Sequence, residues 1–542
     1  MKNLLLIFSL FFFIGCKFDK ENIVKADDRP NILLLVADDM GLSDIGSFGS
    51  EIQTPALDKL GKRSILLSNF HVLPKCSPSR SVLLSGTDNH IAGLGEMGER
   101  TTADQKKNLG YEGHLNKTVA ALPEILNKAG YHTYMVGKWH LGEEDGFKPS
   151  DRGFEQTFVL LNGGGSHWPD QIGVTPTMPM TYARNGKEIE TLPEDFYSTK
   201  NYTDNLLEWL DADKADNKPF FAYVAYTAPH DPLHAPQDYI DKYKGTYDLG
   251  FDVLRSKRYK RLKELGIISE ETERFPWNGV KWEDLSKEQQ QITAREMEVY
   301  AAMIDYMDMQ ISRIFKWLEE SGKMDNTMVV FISDNGANGG SFSNYPGQTE
   351  EFFNSFDNSL ENMGLPNSLG DMGPNWASAS MSPFRLYKGF TTEGGIRAPC
   401  IIKLPKSVES SPTMTHAFGH ISDLMPTFLE LAGATHPGVE NKTIPHMMGK
   451  SLIPLLIGKT DNIHVNEGVG YELSGNRAYF KGEWKIVNLP IPFGTGDWQL
   501  YNLSTDPSEI NDLSIEFPDK REELIAGWNT YKVNVGMVFP LK

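Results

Sequence analysis

Cysteine is scarce in this chain of 542 residues, which has only Cys16, Cys76 and Cys400. So few thiols exclude a fold stapled by disulfides, the recourse of small exported domains with thin cores. A chain of this length, 40% hydrophobic, buries a large core without them. A basic excess is also missing. The formal net charge is −19, whereas phosphate backbones require a basic face, so nucleic acid is excluded as a partner. An anionic substrate has to be gathered by local cations. Long apolar runs are absent as well: Leu4 to Ile14 falls short of the ~17–25 residues that span a bilayer, and no other stretch is long enough. Internal repeats and low-complexity tracts are lacking, and nothing signals an oligomeric state.

The N-terminus reads "MKNLLLIFSLFFFIGCKFDKEN". A lysine, an apolar run and Gly15-Cys16 give the layout of an export signal. The ending resembles a bacterial lipoprotein signal, which implies removal of residues 1–15, lipidation of Cys16 and a polar tether over 16–28. A plain signal peptide with an incidental cysteine is the alternative. The expected location is the bacterial periplasm or cell surface, with membrane contact only through the lipid.

Four short apolar runs end in residues that carry chemistry. "NILLLVADDMG" delivers Asp38 and Asp39, and "YHTYMVGKWHLG" delivers Lys138 and His140. "FFAYVAYTAPHDP" delivers His230, and "TMVVFISDNGA" delivers Asp334 and Asn335. Continuous runs of this kind suit strands buried on both faces of a parallel sheet. Helical segments lie between them: "TPALDKLGKRS", "TVAALPEILNKAG", one starting at Thr203, and one from Arg295 to a stop at Gly322. Strands alternating with helices predict an α/β fold, whose ligands bind outside the carboxyl ends of the strands. The expected catalytic domain covers 29–455. Over 456–542, hairpin-like "NRAYFKGEWKIVNLP" and a segment from Asp519 to Tyr531 predict a small antiparallel sheet with a helix.

Each acidic pair alone has a plain reading, Asp38–Asp39 as a cap and Asp334–Asn335 as a turn. Together, three carboxylates and an amide oxygen form an all-oxygen set for a hard cation. Ca²⁺ is favoured over Mg²⁺ by the number and flexibility of the oxygens. Arg80, Lys138, His140, His230 and Lys388 are the candidate cations around it, and several cations beside one metal describe a pocket for a tetrahedral oxyanion. Cys400, in "RAPCIIKLP", reads as a buried small residue. Cys76, in "KCSPSR", is open to four readings: a disulfide, a small hydrophobe, a thiolate nucleophile or a modified residue.

"CSPSR" followed by "SVLLSG" closely resembles the sulfatase signature Cys-x-Pro-x-Arg. The resemblance runs from about Pro30 to Val535 through "VADDMG", "GTDNHIAG", "GYEGHLN", "GKWHLG", "DNSLEN", "RLYKGFTTEGGIRAP" and "WQLYNLSTDPSEINDL". It points to the long bacterial arylsulfatases of the alkaline-phosphatase-like superfamily. One departure is Ser85, where the family usually has threonine, and the hydroxyl is kept. The resemblance implies a large, mixed, mostly parallel sheet flanked by helices, with a smaller antiparallel subdomain. A formylglycine-generating maturase would oxidise Cys76 to 3-oxoalanine, whose hydrate supplies the nucleophile. Asp38, Asp39, Asp334 and Asn335 would hold calcium. Arg80 would stabilise the ionised hydroxyl and His140 would take a proton from the hydrate. Lys138 and Lys388 would grip sulfate oxygens, and His230 would protonate the leaving oxygen. Pro78 suits a first helical turn, which sets Cys76 at a helix N-terminus.

The implied activity is hydrolysis of sulfate monoesters, aryl sulfates first. The rivals are a glycan sulfatase on the same mechanism, a phosphonate or phosphodiester hydrolase, and a non-catalytic lipoprotein that binds sulfated glycans. "NGGGSHWPDQIG" and the loop from Gly340 to Ser380 are expected at the pocket mouth, where His167 and Trp168 either stack on a ring or pack locally.

Overall fold

In a computed structural model the apolar runs lie side by side as strands. The structure describes residues 28–540 except 343, 344, 346, 411, 412 and 466. The expected signal segment and Cys16 therefore lie outside the described residues. The large sheet contains β1 (Asn31–Ala37), β2 (Ile65–His71), β3 (His132–Lys138), β4 (Gln156–Leu160), β5 (Tyr182–Arg184), β6 (Lys187–Ile189), β7 (Phe220–Ala225), β8 (Thr327–Ser333), β9 (Arg397–Lys403), β10 (Met414–Thr415) and β11 (Gly419–His420). Its order is β10-β2-β9-β8-β1-β7-β3-β4-β5-β6, with β11 also on β2. From β8 through β1, β7 and β3 to β4 every pairing is parallel. β9 runs antiparallel to both of its neighbours, β2 and β8.

Every residue of β1, β7 and β8 is buried, as continuous apolar runs require of central strands. The alternation of strand side chains sends Leu33 and Leu35 into one core layer and Ile32, Leu34 and Val36 into the other. The helices Ser198–Ala212 and Lys287–Glu320 cover the first layer, and the helices Cys76–Ser85 and Leu424–Ala432 cover the second. Two helices begin earlier than their apolar period indicates, at Ser198 rather than Thr203 and at Lys287 rather than Arg295. The second is started by a capping box: Ser286 Oγ accepts from the Gln289 N–H (3.2 Å), and the Gln289 side chain accepts from the Ser286 N–H (2.9 Å). Its first turns face solvent, so no apolar period marks them.

β12 (Gly468–Leu473), β13 (Asn476–Lys481), β14 (Trp484–Asn488) and β15 (Gln499–Asn502) form a separate antiparallel sheet. The helix Pro518–Asn534 packs Leu524 and Trp528 on Ile486 and Leu500 of one face. The other face packs Tyr471, Phe480 and Val487 on Leu386 and Ile396 of the main body. A buried ionic knot joins the two: Lys485 Nζ lies 2.8 Å from Glu393 Oε1 and 2.7 Å from Glu509 Oε1. Glu393 in turn holds His71 (3.0 Å) and Arg397 (2.8 Å). Cys76 and Cys400 are both buried and free. Among the described residues no helix is long and apolar enough to cross a membrane.

Candidate active site

The parallel strands deliver their chemistry to one edge. β1 and β8 pair in register to Ala37 and Ser333, so Asp38–Asp39 and Asp334–Asn335 emerge next to one another. The Asp39 backbone turns into the left-handed region (φ 65°), and its N–H donates to Asp334 Oδ1 at 3.3 Å. Lys138 ends β3 and extends its ammonium to Asp38 Oδ2 at 2.7 Å. His230, five residues beyond β7, sets Nε2 3.4 Å from Asp39 Oδ2. Lys388, in the loop before β9, places Nζ 2.7 Å from the same oxygen.

Cys76 is the first residue of its helix, after an extended Lys75. Its thiol is directed at Asp38 Oδ1 (3.4 Å) and Asp39 Oδ1 (3.7 Å). One turn on, Arg80 is fully buried and donates through Nε (2.9 Å) and Nη2 (2.7 Å) to Asp334 Oδ2 and through Nη1 to the Lys138 carbonyl (2.9 Å). The guanidinium also faces Asp38, whose Oδ1 lies 3.6 Å from Nη2. One ligating atom each of Asp38, Asp39, Cys76 and His230 lies within 4.8 Å of the others. All the residues named from the sequence as catalytic or metal-binding converge here.

Burial and charge compete over their protonation. Burial raises the Asp38 and Asp334 carboxyls, and their mutual repulsion adds to this at Asp334. Burial opposes ionisation of Asp39 too, but Lys388 and His230 prevail and lower it. Burial would also push the Cys76 thiol up, yet Lys138 and Lys388 hold it well below its usual range. His230, despite burial, is pushed up to about 9 by Asp39.

Asn335 supplies a test of metal fit. Its Nδ2 donates to Asp39 Oδ1 (2.6 Å) and to the Gly336 carbonyl (2.9 Å), while its Oδ1 is buried with no hydrogen-bond partner among the described residues. A buried amide oxygen left bare costs about 1–3 kcal/mol. A hard divalent cation shared with the three carboxylates would satisfy it, so the donor set fits Ca²⁺ or Mg²⁺.

Above this floor opens a cavity of about 720 Å³, with Cys76, His140, His230 and Lys388 at its base. Tyr387, Phe390 and Phe493 form one wall, their rings 5.6 Å and 4.6 Å apart in sequence. Lys75, Arg100, Ser474 and Asn476 supply polar groups, so the small C-terminal sheet contributes to the wall. The expectation for the mouth holds only in part. Gly163 and Gly164 line it, but His167 is buried behind His230, bonded to the His230 carbonyl (3.1 Å) and to Ser198 Oγ (2.7 Å). Trp168 packs on Tyr197 with ring centroids 4.8 Å apart. The glycines before these two residues let the loop press against the histidines, and that turns their own rings inward. Sequence reasoning passed over Glu99, which borders the same cavity beside His140. A glutamate in the loop "GEMGER" carries no local signal.

Comparison with known proteins gives a consistent result. The Sulfatase family profile matches residues 30–434. An uncharacterized sulfatase of Schizosaccharomyces pombe is 42% identical over 525 residues, covering 94% of each chain. The arylsulfatase of Klebsiella aerogenes is 39% identical over 431 residues, covering 78% of this chain and 91% of its own. Among solved structures, Ps i-CgsB in complex with k-i-k-neocarrahexaose superposes with a TM-score of 0.65 at 24% identity, covering 93% of this chain and 92% of that one, a likeness of fold.

Proposed function

Since the chain belongs to the sulfatase family and is a sulfuric ester hydrolase of alkaline-phosphatase-like fold, we propose that its substrates are aryl sulfate monoesters, hydrolysed by a formylglycine made from Cys76 beside a calcium ion. The observation that carries this reading is the setting of Cys76. Its sulfur heads a helix at the base of the cavity, 3.4 and 3.7 Å from Asp38 and Asp39, where a nucleophile built on that carbon stands beside the carboxylates that would hold a metal. A hydrated aldehyde at that carbon supplies one hydroxyl to attack sulfur and a second whose ionisation releases sulfate by carbon–oxygen cleavage. Asp38, Asp39, Asp334 and Asn335 hold the calcium, which when bound supplies Lewis-acid stabilisation of the oxyanion.

The other roles belong to side chains. Lys138 and Lys388 bind sulfate oxygens and oppose the charge of the transition state. Arg80 offsets Asp334 and Asp38 one turn below the nucleophile. His140 takes the proton of the attacking hydroxyl, and His230 gives one to the leaving oxygen. The aryl preference rests on Tyr387, Phe390 and Phe493, which present ring faces and edges to the leaving group. A sugar sulfate is the second reading, favoured by the cavity's size and by Arg100, Ser474 and Asn476 on its polar wall. Maturation requires a formylglycine-generating enzyme. The layout of residues 1–16 fits export to the bacterial periplasm or cell surface on a lipid at Cys16.

Tryptic digestion of active enzyme should release Cys76–Arg80 lighter by about 18 Da, the exchange of sulfur and two hydrogens for one oxygen. Cys76→Ser should abolish turnover. Full activity with an intact thiol would overturn the mechanism. Comparing kcat/KM on aryl sulfates, sulfated sugars and aryl phosphonates tests the substrate class, and a preference for either of the last two would displace the aryl reading.

A further inference from the structure

The catalytic reading leaves open what makes His140 a base. The residue follows β3 with a left-handed backbone (φ 55°), so its ring departs from the strand direction and turns over the cavity floor beside Cys76. Its Nε2 lies 3.4 Å from Glu99 Oε1 and 3.5 Å from Oε2. Its Nδ1 is buried with no hydrogen-bond partner among the described residues. Gly163 closes the other side: a Cβ built there would stand 2.8 Å from the ring's Cε1 and 2.9 Å from Nε2. The imidazole is thus backed by a glycine and held at one nitrogen, with the other nitrogen bare.

We infer that Glu99 is the positioning residue of His140: its carboxylate accepts the Nε2 proton, fixes that tautomer, and leaves Nδ1 as the basic nitrogen toward residue 76. A carboxylate only accepts, so Nε2 must carry the proton in this pair and Nδ1 the lone pair. In this role Glu99 acts through the ring. The long contact is usual for a catalytic pair before substrate binds. Ionisation agrees with the geometry. Burial opposes charge on both groups, but His140 holds Glu99 at about 2, and Glu99 raises His140 above its ordinary value. The other groups facing the ring are Cys76, which raises it, and Lys138, which lowers it.

This inference rests on His140 being the base, and the experiment separates the two. Purified enzyme, with conversion of residue 76 verified by peptide mass, is assayed for kcat/KM against pH on 4-nitrophenyl sulfate as wild type, Glu99→Gln, Glu99→Ala and His140→Ala. Glu99 lies on a surface loop, so its variants should fold. A base works when neutral, so loss of the neighbouring negative charge should move the acidic limb to lower pH in both Glu99 variants. The plateau should fall about ten- to a hundredfold in Glu99→Ala, and less in Glu99→Gln, which keeps an acceptor. An unmoved limb, whether or not the plateau falls, overturns the positioning role. A fully active His140→Ala would instead overturn the reading of His140 as the base.

Discussion

Asn335→Ala gives a direct test of the metal site, because the structure specifies what the substitution removes with and without an ion. In metal-free protein the variant loses the amide's bonds to Asp39 Oδ1 and the Gly336 carbonyl. The first, to a charged acceptor, contributes about 1.5–3 kcal/mol and the second about 1 kcal/mol. It also removes the bare buried oxygen, which had cost about 1–3 kcal/mol. These effects largely offset one another, so the metal-free stability should stay within about 3 kcal/mol of wild type. The loaded proteins should differ. Calcium at a hundred times its Kd stabilises wild type by about 2.7 kcal/mol, and a hundredfold weaker site at the same concentration gains only about 0.4 kcal/mol. Differential scanning calorimetry in EDTA, in Ca²⁺ and in Mg²⁺, at one scan rate, reads both quantities. Equal calcium-dependent gains in wild type and variant, or no gain in wild type, would refute the assignment of Asn335 as a ligand.

Lys485→Met should cost about 3–5 kcal/mol, because it leaves the buried carboxylates of Glu393 and Glu509 facing each other without their ammonium. Urea unfolding followed by the tryptophans of the small sheet and its helix checks this, and an unchanged midpoint would contradict it. His90 links two parts of the molecule through Asp88 (2.8 Å) and Glu472 of β12 (3.4 Å). Although burial alone would lower its pKa, these partners raise it from 6.5 to about 9. The linked stability, of order 3 kcal/mol, is therefore complete below pH 6.5 and lost as pH rises through about 9. His90→Phe should flatten stability over that window, measured as urea midpoints from pH 6 to about 10.

Much of the site was legible because four of its stretches follow apolar runs too continuous to be anything but central strands. Asp38, Lys138, His230 and Asp334 could be placed at one edge from that pattern alone. Glu99 could not. It acts on a ring distant in sequence, and neither its spacing nor its neighbours differ from those of a solvated loop. The aromatic wall escaped for the same reason, since Tyr387 and Phe390 meet Phe493 only once the small sheet docks. His167 and Trp168 follow the local-packing alternative of their two readings: His167 spends its hydrogen bonds inside the protein and Trp168 packs on Tyr197. The start of the long helix was placed late because a capping box at Ser286, and not burial, begins it.

The direction of β9 has a consequence for the order of parts along the chain. A parallel strand reaches the reactive edge at its finish, so its contribution comes downstream of it. A reversed strand departs from that edge, and whatever the chain carries just before entering is already there. Lys388 uses this entrance, arriving at Asp39 nine residues ahead of β9. One inverted strand thus lets the fold supply its last cation from a lead-in segment, and a search for functional residues only behind apolar runs would pass it by.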